Sequence, residues 1–172
     1  MKLFFFLLTS VLFHLPARAQ SCSISAGHAY QRTTIPGKMP RKDLNEIGKE
    51  IEAPIKMMNT FFIYIETKDN CIPNVTRLWI QGKAYHAIQE PIEETPIVVP
   101  SSHPGNKFDT LVRKTSNKVF RIHPREEMAV KPGKTMADKL ERASIIIEYG
   151  GQWKGSFYQI KEIKKITPVV LQ

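Results

Sequence analysis

The chain has 172 residues, of which 42% are hydrophobic and 24% are charged, and its formal net charge is +9. This length indicates one ordinary domain with a sizeable core, and the absence of internal repeats and low-complexity tracts excludes a repeat array. Beyond the N-terminus no stretch is apolar enough to span a bilayer, which excludes a chain of several membrane helices.

The first nineteen residues predict a cleavable secretion signal. Lys2 provides a positive start, residues 3–15 form an apolar run ended by Pro16, and small residues at 17 and 19 suit signal peptidase. A membrane-spanning helix needs roughly 20 apolar residues, and this run is shorter. We therefore expect cleavage after Ala19 and a periplasmic or extracellular protein. Removal of the signal's two basic residues lowers the net charge to +7.

Two cysteines, Cys22 and Cys71, belong to the mature chain. In an oxidising compartment this pair predicts one disulfide bond. The small residues before Cys22 also resemble a lipoprotein signal, which would attach lipid to Cys22 and leave no disulfide. Such signals usually have an aliphatic residue three places before the cysteine, where this chain has Ala19.

The segment after the signal predicts two non-strand regions. Residues 20–42 are polar and interrupted by prolines and a glycine, so we expect an extended N-terminal arm outside the core. Residues 43–53 carry three aliphatic side chains at helical spacing and begin with residues suited to cap the N-terminus of a helix. This pattern predicts a short helix. This helix would begin a single domain over residues 43–172.

Most of the remaining chain predicts strands. Residues 61–65 are apolar at every position, which is typical of a central strand packed on two faces. Two β-rich segments, 75–80 and 83–88, are separated near Gly82, where a bulge would join them into one long strand. Prolines bracket residues 97–99, which predicts a short edge strand.

Further hairpin and helix signals follow in the second half of the chain. Residues 108–114 and 118–122 predict two strands joined by a hairpin loop at 115–117. A short helix is expected over residues 135–140, with a cap formed by Thr135 and Asp138.

The last unit, residues 143–160, predicts a hairpin folded about a pair of glycines. A two-residue glycine turn would place Ile147 opposite Lys154. A three-residue loop over 149–151 instead pairs Ile147 with Trp153 and gathers the apolar side chains on one face. The sequence therefore favours the three-residue loop.

Seven or so short strands with little helix predict a mainly β fold, an antiparallel β-sandwich of immunoglobulin-like architecture with one or two short helices. Trp79 and Trp153 are the expected core anchors. Neither the cysteine spacing nor a tyrosine corner matches a true immunoglobulin domain.

No motif predicts a catalytic or metal site. No two histidines of the mature chain stand two or four residues apart, and no Gly-x-Ser-x-Gly sequence occurs. Paired glutamates at 93–94 and 126–127 would point to opposite faces of a strand, so neither pair can readily share a substrate. We predict no catalytic residue, no metal and no cofactor.

These observations favour an exported, non-catalytic protein that binds a protein or an anionic glycan of the cell envelope. Nucleic acid is not an expected partner, because the chain is exported and its basic clusters lack interleaved aromatic residues. Basic clusters and a free strand edge mark the candidate binding residues. These candidates are Arg41, Lys42, Ile97, Val99, Arg113 and Lys114.

Two alternatives remain open at this point. One is a secreted hydrolase whose site combines Asp109 with His86 or His103 across loops. The other is a carrier of a small ligand or metal, with the ligand held at one end of the sandwich.

Overall fold

The structure is a computed structural model that describes residues 22–36, 43–44, 50–51, 57–68, 71–101, 105, 107–151 and 154–171. This part of the chain contains twelve strands and one helix. The strands are β1 (Ile24–Pro36), β2 (Asp43–Leu44), β3 (Glu50–Ile51), β4 (Met58–Thr67), β5 (Val75–Ile80), β6 (Lys83–Ile92), β7 (Ile97–Pro100), β8 (Phe108–Val112), β9 (Lys118–Met128), β10 (Ile145–Gly151), β11 (Lys154–Ile160) and β12 (Lys164–Leu171), and the helix is α1 (Lys134–Leu140).

The largest sheet has eight strands in the order β11-β10-β5-β6-β9-β4-β1-β12. Neighbouring strands are antiparallel except β1 and β12, which run parallel. The sheet is curled, so that β11 at one edge comes back against β1: a Cβ atom added at Gly27 would lie 2.5 Å from the ring of Tyr158. Two small sheets, β2–β3 and β7–β8, are separate from it.

The main core fills the inside of the curled sheet. Because successive side chains of a strand alternate between faces, Ile63 and Ile65 of β4 point inward together with Ile145 and Ile147 of β10. Branched side chains of this kind fit a pleated surface well. Burying each of them stabilises the fold by roughly 1.5–3 kcal/mol.

The outer face of the sheet is covered on one side by the β7–β8 hairpin. Leu111 of β8 and the half-buried Ile97 and Val99 of β7 pack in one cluster with Tyr30 of β1 and Tyr64 of β4. The hydroxyl of Tyr30 donates a 2.6 Å hydrogen bond to the carbonyl oxygen of Leu111, which fixes β8 over β1. Strand β4 is therefore buried on both faces, as its unbroken apolar run predicts.

Helix α1 covers another part of the outer face, over β5 and β10. Its Met136 and Leu140 pack against a cluster that includes the buried Trp79 and Ile146. A seven-residue helix has little stability of its own, so this packing holds it in place. The predicted helix is confirmed, but the predicted cap at Thr135 is wrong, because the N-cap is Gly133 and no side chain caps the helix.

The mainly β prediction is confirmed, and Trp79 is a core residue as expected. The antiparallel immunoglobulin-like sandwich is not confirmed. Eight strands form one curled sheet, and that sheet is mixed because β12 runs parallel to β1.

Two predictions near the N-terminus are corrected. Residues 24–36, expected in an arm outside the core, form β1 inside the sheet, with β4 on one side and β12 on the other. The helix predicted over 43–53 is wrong at the positions described, since residues 43–44 pair with residues 50–51 as antiparallel strands. Three aliphatic residues at helical spacing are a weak signal compared with strand pairing.

Two predicted connections are also corrected. Strands β5 and β6 are a hairpin rather than one bulged strand, because Gln81 and Gly82 both have positive φ, 49° and 85°, as in a tight primed turn. The loop at 115–117 does not join a hairpin. Strand β8 pairs with β7, whereas β9 lies between β4 and β6.

The register of the last hairpin differs from the prediction. Ile147 lies opposite Tyr158, and Gly151 lies opposite Lys154, so the three-residue loop over 149–151 is wrong. In the observed register Ile145 faces Ile160, and both lie in the main core. The side chain of Trp153 lies outside the described residues.

The predicted disulfide is present between Cys22 and Cys71, whose Cα atoms are 5.4 Å apart. It joins the start of β1 to the segment before β5. The predicted signal at residues 1–19 lies outside the described residues. In the part of the chain that the structure describes, no helix has the length and apolar character needed to cross a bilayer.

Candidate binding site

A buried carboxylate lies on the outer face of the sheet beneath the connection from β8 to β9. Glu66 follows Ile65 on β4 and so points to the outer face, where it is 8% exposed. His28 of β1 is its diagonal neighbour across the strand pair, because His28 is in register with Tyr64. The Nε2 atom of His28 lies 2.8 Å from Oε1 of Glu66.

The second oxygen of Glu66 holds the segment of residues 113–117, which we call the wall segment. Oε2 accepts hydrogen bonds from Oγ1 of Thr115 at 3.1 Å and from Nδ2 of Asn117 at 2.8 Å. Within the segment, the backbone N–H of Asn117 donates to Oγ1 of Thr115. The backbone N–H of Thr115 donates to Oγ1 of Thr95, which itself donates to the carbonyl of Thr115. These bonds fix the path of a connection that has no strand pairing.

Glu66 is held in its ionised form. Burial alone would raise its pKa, but hydrogen bonds from His28, Asn117 and Thr115, with the charge of His28, bring the pKa below its ordinary value. A carboxylate with this many donors is suited to anchoring a loop. It is not suited to donating a proton near neutral pH.

A cleft of about 520 Å³ opens beside this carboxylate, and we call it the cationic cleft. Its basic lining comes from Arg113 and Lys114 of the wall segment and from Lys164 at the start of β12. All three side chains are exposed. Among the described lining residues Glu66 is the one acidic group, so these residues carry two more positive than negative charges when His28 is neutral. The cleft therefore complements an anionic group.

The floor of the cationic cleft is made by β1. Tyr30 lies between the sheet and β8, and burial raises the pKa of its hydroxyl, while the positive charge of Arg113 partly opposes that rise. Thr110 and Leu111 of β8 form one side. The hydroxyl of Tyr30 is bonded to the backbone of β8, which connects the floor to that side of the cleft.

A second cleft, of about 570 Å³, lies on the other side of the wall segment, and we call it the apolar cleft. Its apolar lining includes Ile72, Pro91, Ile92 and Phe120. Thr115 lines both clefts. The bonds from Glu66 to the wall segment thus set the shape of both.

The predicted binding residues lie in different parts of the structure, and only some of them line a cleft. Arg113 and Lys114 line the cationic cleft. Ile97 and Val99 are half-buried and pack toward Tyr30 and Tyr64, so their side chains serve the fold. Arg41 and Lys42 lie outside the described residues.

Three site residues were not singled out from the sequence. Lys164 belongs to a basic cluster near the C-terminus, whose alternation with isoleucines indicated an amphipathic strand or the end of a short helix and no ligand. Glu66 and His28 gave no local signal, since they are 38 positions apart and meet only through the pairing of β1 with β4.

Two of the three residues of the hydrolase alternative, Asp109 and His86, are described, and they lie apart from both clefts. Asp109 accepts a 3.3 Å hydrogen bond from Thr167, and His86 is an exposed residue of β6. Neither side chain lines a cleft described above. His103 lies outside the described residues, and among those described no three His, Cys, Asp or Glu side chains group as a metal site requires.

No protein-family description, curated protein or solved structure matches this chain.

Proposed function

We propose that the protein is an exported, non-catalytic binding protein that recognises an anionic group on a protein or glycan of the cell envelope. The observation that supports this most is the convergence of Arg113, Lys114 and Lys164 on one cleft. These residues come from two distant parts of the chain. Their meeting places three cations around a space large enough for a ligand group, since ligand clefts commonly measure about 300–1,000 Å³.

The state of Glu66 supports binding rather than catalysis. The carboxylate is paired with His28 and also accepts bonds from Thr115 and Asn117. Acid–base catalysis near neutral pH is served by a carboxyl group whose pKa is raised toward the working pH. The pKa of Glu66 is shifted the other way.

Export is supported by the N-terminal pattern and by the Cys22–Cys71 disulfide. Disulfides persist in oxidising compartments such as the periplasm and the cell exterior. The predicted mature charge of +7 would attract anionic envelope components over several ångströms, with an effect that weakens as ionic strength rises.

The proposal is tested by removing the charge of the cleft. A triple variant, Arg113→Gln, Lys114→Gln and Lys164→Gln, is compared with wild type for binding to a sulfated dextran oligosaccharide and to a hexaglutamate peptide. Binding is measured by calorimetry at 0.15 M salt. We expect the triple variant to bind at least about tenfold more weakly, because one charge pair in contact in water contributes about 1 kcal/mol.

A second triple variant controls for net charge. Lys131, Lys134 and Arg142 are exposed and lie near α1, away from the cationic cleft. Changing these three residues to glutamine removes the same charge, and we expect nearly wild-type binding. Equal losses in both variants, or no loss in the cleft variant, would contradict the proposal. A preference for one probe indicates whether glycan or protein is the partner, and crosslinking in the native host then identifies it.

A further inference from the structure

We propose that His28 is a fourth, proton-dependent cation of the cationic cleft, so that the protein takes up a proton when it binds an anion. This inference rests on the proposed function, because it concerns the same anionic ligand. It predicts that binding strengthens as the pH falls through the range in which a histidine titrates.

The position of His28 satisfies the first requirement, which is access to the ligand. His28 lines the cationic cleft, and its side chain is 30% exposed. Its Nε2 atom is turned toward Glu66. Within the described part of the chain Nδ1 makes no hydrogen bond, so the ring can offer a donor there once it is protonated.

The charges around His28 satisfy the second requirement, which is coupling between the proton and the anion. Glu66 on β4 is ionised and favours the protonated ring. The cations of the cleft, Arg113 and Lys114 on the wall segment and Lys164 on β12, disfavour it. An anion bound among these cations offsets their repulsion.

Among the described residues, the other titratable groups near His28 are tyrosines, and they stay neutral in this range. Tyr64 and Tyr30 line the same outer face, and burial raises the pKa of each. The pKa of Tyr158 on β11 is likewise raised, first by burial and then by the charge of Glu66. None of these hydroxyls ionises between pH 5 and 8.

Proton and anion therefore bind with positive coupling. Thermodynamic linkage is reciprocal: if the anion favours protonation of His28, protonation favours the anion by the same factor. Protonation raises the excess of positive charges in the cleft from two to three. One additional charge pair about 4 Å apart in water corresponds to about fivefold in affinity.

The test uses a sulfated dextran oligosaccharide, because its sulfate esters stay ionised throughout the range studied. Affinity is measured by calorimetry at pH 5.5 and pH 7.5, and proton uptake is obtained at intermediate pH from two buffers with different ionisation enthalpies. We expect wild type to bind about fivefold more tightly at pH 5.5 and to take up protons on binding.

The variant His28→Gln keeps a neutral donor toward Glu66 and removes the titration. We expect it to lose both the pH dependence and the proton uptake of binding. His123→Gln is the matched control, because His123 forms a similar pair with Glu90, 2.9 Å apart, outside the cleft. This control should retain the full pH dependence.

The outcomes separate this inference from the proposed function. If the triple cleft variant binds as wild type does, the proposed function fails. If the triple variant loses binding but His28→Gln keeps the wild-type pH dependence, or wild type shows none, only the role of His28 is overturned. An NMR titration of wild type adds a second readout, since the midpoint of the His28 ring signals should move to higher pH when the oligosaccharide is present.

Discussion

At the scale of single residues, Glu66 contributes both to the stability of the fold and to the shape of the two clefts. It is one of the few polar side chains among the buried residues described, and its two oxygens are bonded to His28 on one side and to Thr115 and Asn117 on the other. Hydrogen bonds to a charged group contribute more than neutral ones. Losing the charge therefore weakens several bonds at once.

We expect Glu66→Gln to lower the free energy of unfolding by about 1–3 kcal/mol at pH 7. The pKa of Glu66 is lowered by folding, so its contribution is complete above the unfolded value, near 4.5, and is lost as the pH falls through the lower folded value. The difference between wild type and Glu66→Gln in urea unfolding should accordingly shrink between pH 7 and pH 3.

Glu126→Gln is the control for this change, because Glu126 is an exposed residue of β9. We expect its effect to stay within about 0.5 kcal/mol at either pH. Equal stability of Glu66→Gln and wild type at pH 7 would show that the carboxylate does not anchor the wall segment.

At the scale of elements, the contact between β1 and β11 shows how the sheet curls. Gly27 leaves room for Tyr158 and Ile160, since a Cβ atom at this position would meet the Tyr158 ring at 2.5 Å and Ile160 at 3.0 Å. Gly155 on β11 has open space around it, with no atom within 4 Å of an added Cβ. The two glycines thus differ in packing although both lie in strands.

We expect Gly27→Ala to destabilise the protein by about 1–3 kcal/mol, because the methyl group would force β11 away from β1. Gly155→Ala is the matched control and should be neutral or slightly stabilising, since alanine loses less conformational freedom than glycine in a strand. Urea unfolding of both variants measures the difference. Equal effects at the two positions would contradict the close approach of the strands.

At the scale of the whole molecule, the fold depends on contacts between distant parts of the chain. Tyr30 of β1 is in register with Lys164 of β12, and the disulfide joins residues separated by 49 positions. Pairing of this kind must overcome a large loss of chain entropy. The disulfide reduces that loss by holding the start of β1 near β5.

Replacing both cysteines, Cys22→Ser with Cys71→Ser, should lower the free energy of unfolding by about 2–4 kcal/mol, since a closed loop of this length restricts the unfolded chain. Urea unfolding of the oxidised protein and of the double variant tests this. Wild type treated with a reducing agent should match the variant. A double variant as stable as the oxidised protein would show that the loop closure contributes nothing.

The local sequence pattern was sufficient to predict many of the individual strands and the helix. The apolar run at 61–65, the proline-bounded segment at 97–99 and the helix near 135–140 were all predicted from neighbouring residues, because alternation and breakers act within a few positions. The pairing of Cys22 with Cys71 followed from there being two cysteines in the predicted mature chain. The basic pair Arg113 and Lys114, predicted as binding residues, lines the cationic cleft, and its role in binding stays a prediction.

The sequence by itself thus determined the mainly β character, the positions of most strands and the disulfide. Only the tertiary structure decided the sheet order, the parallel pairing of β1 with β12 and the register of the β10–β11 hairpin. It also brought His28, Glu66 and Lys164 to one cleft. The physical reason is that strand propensity is local, whereas strand partners are selected by side chains that pack across the sheet from distant positions.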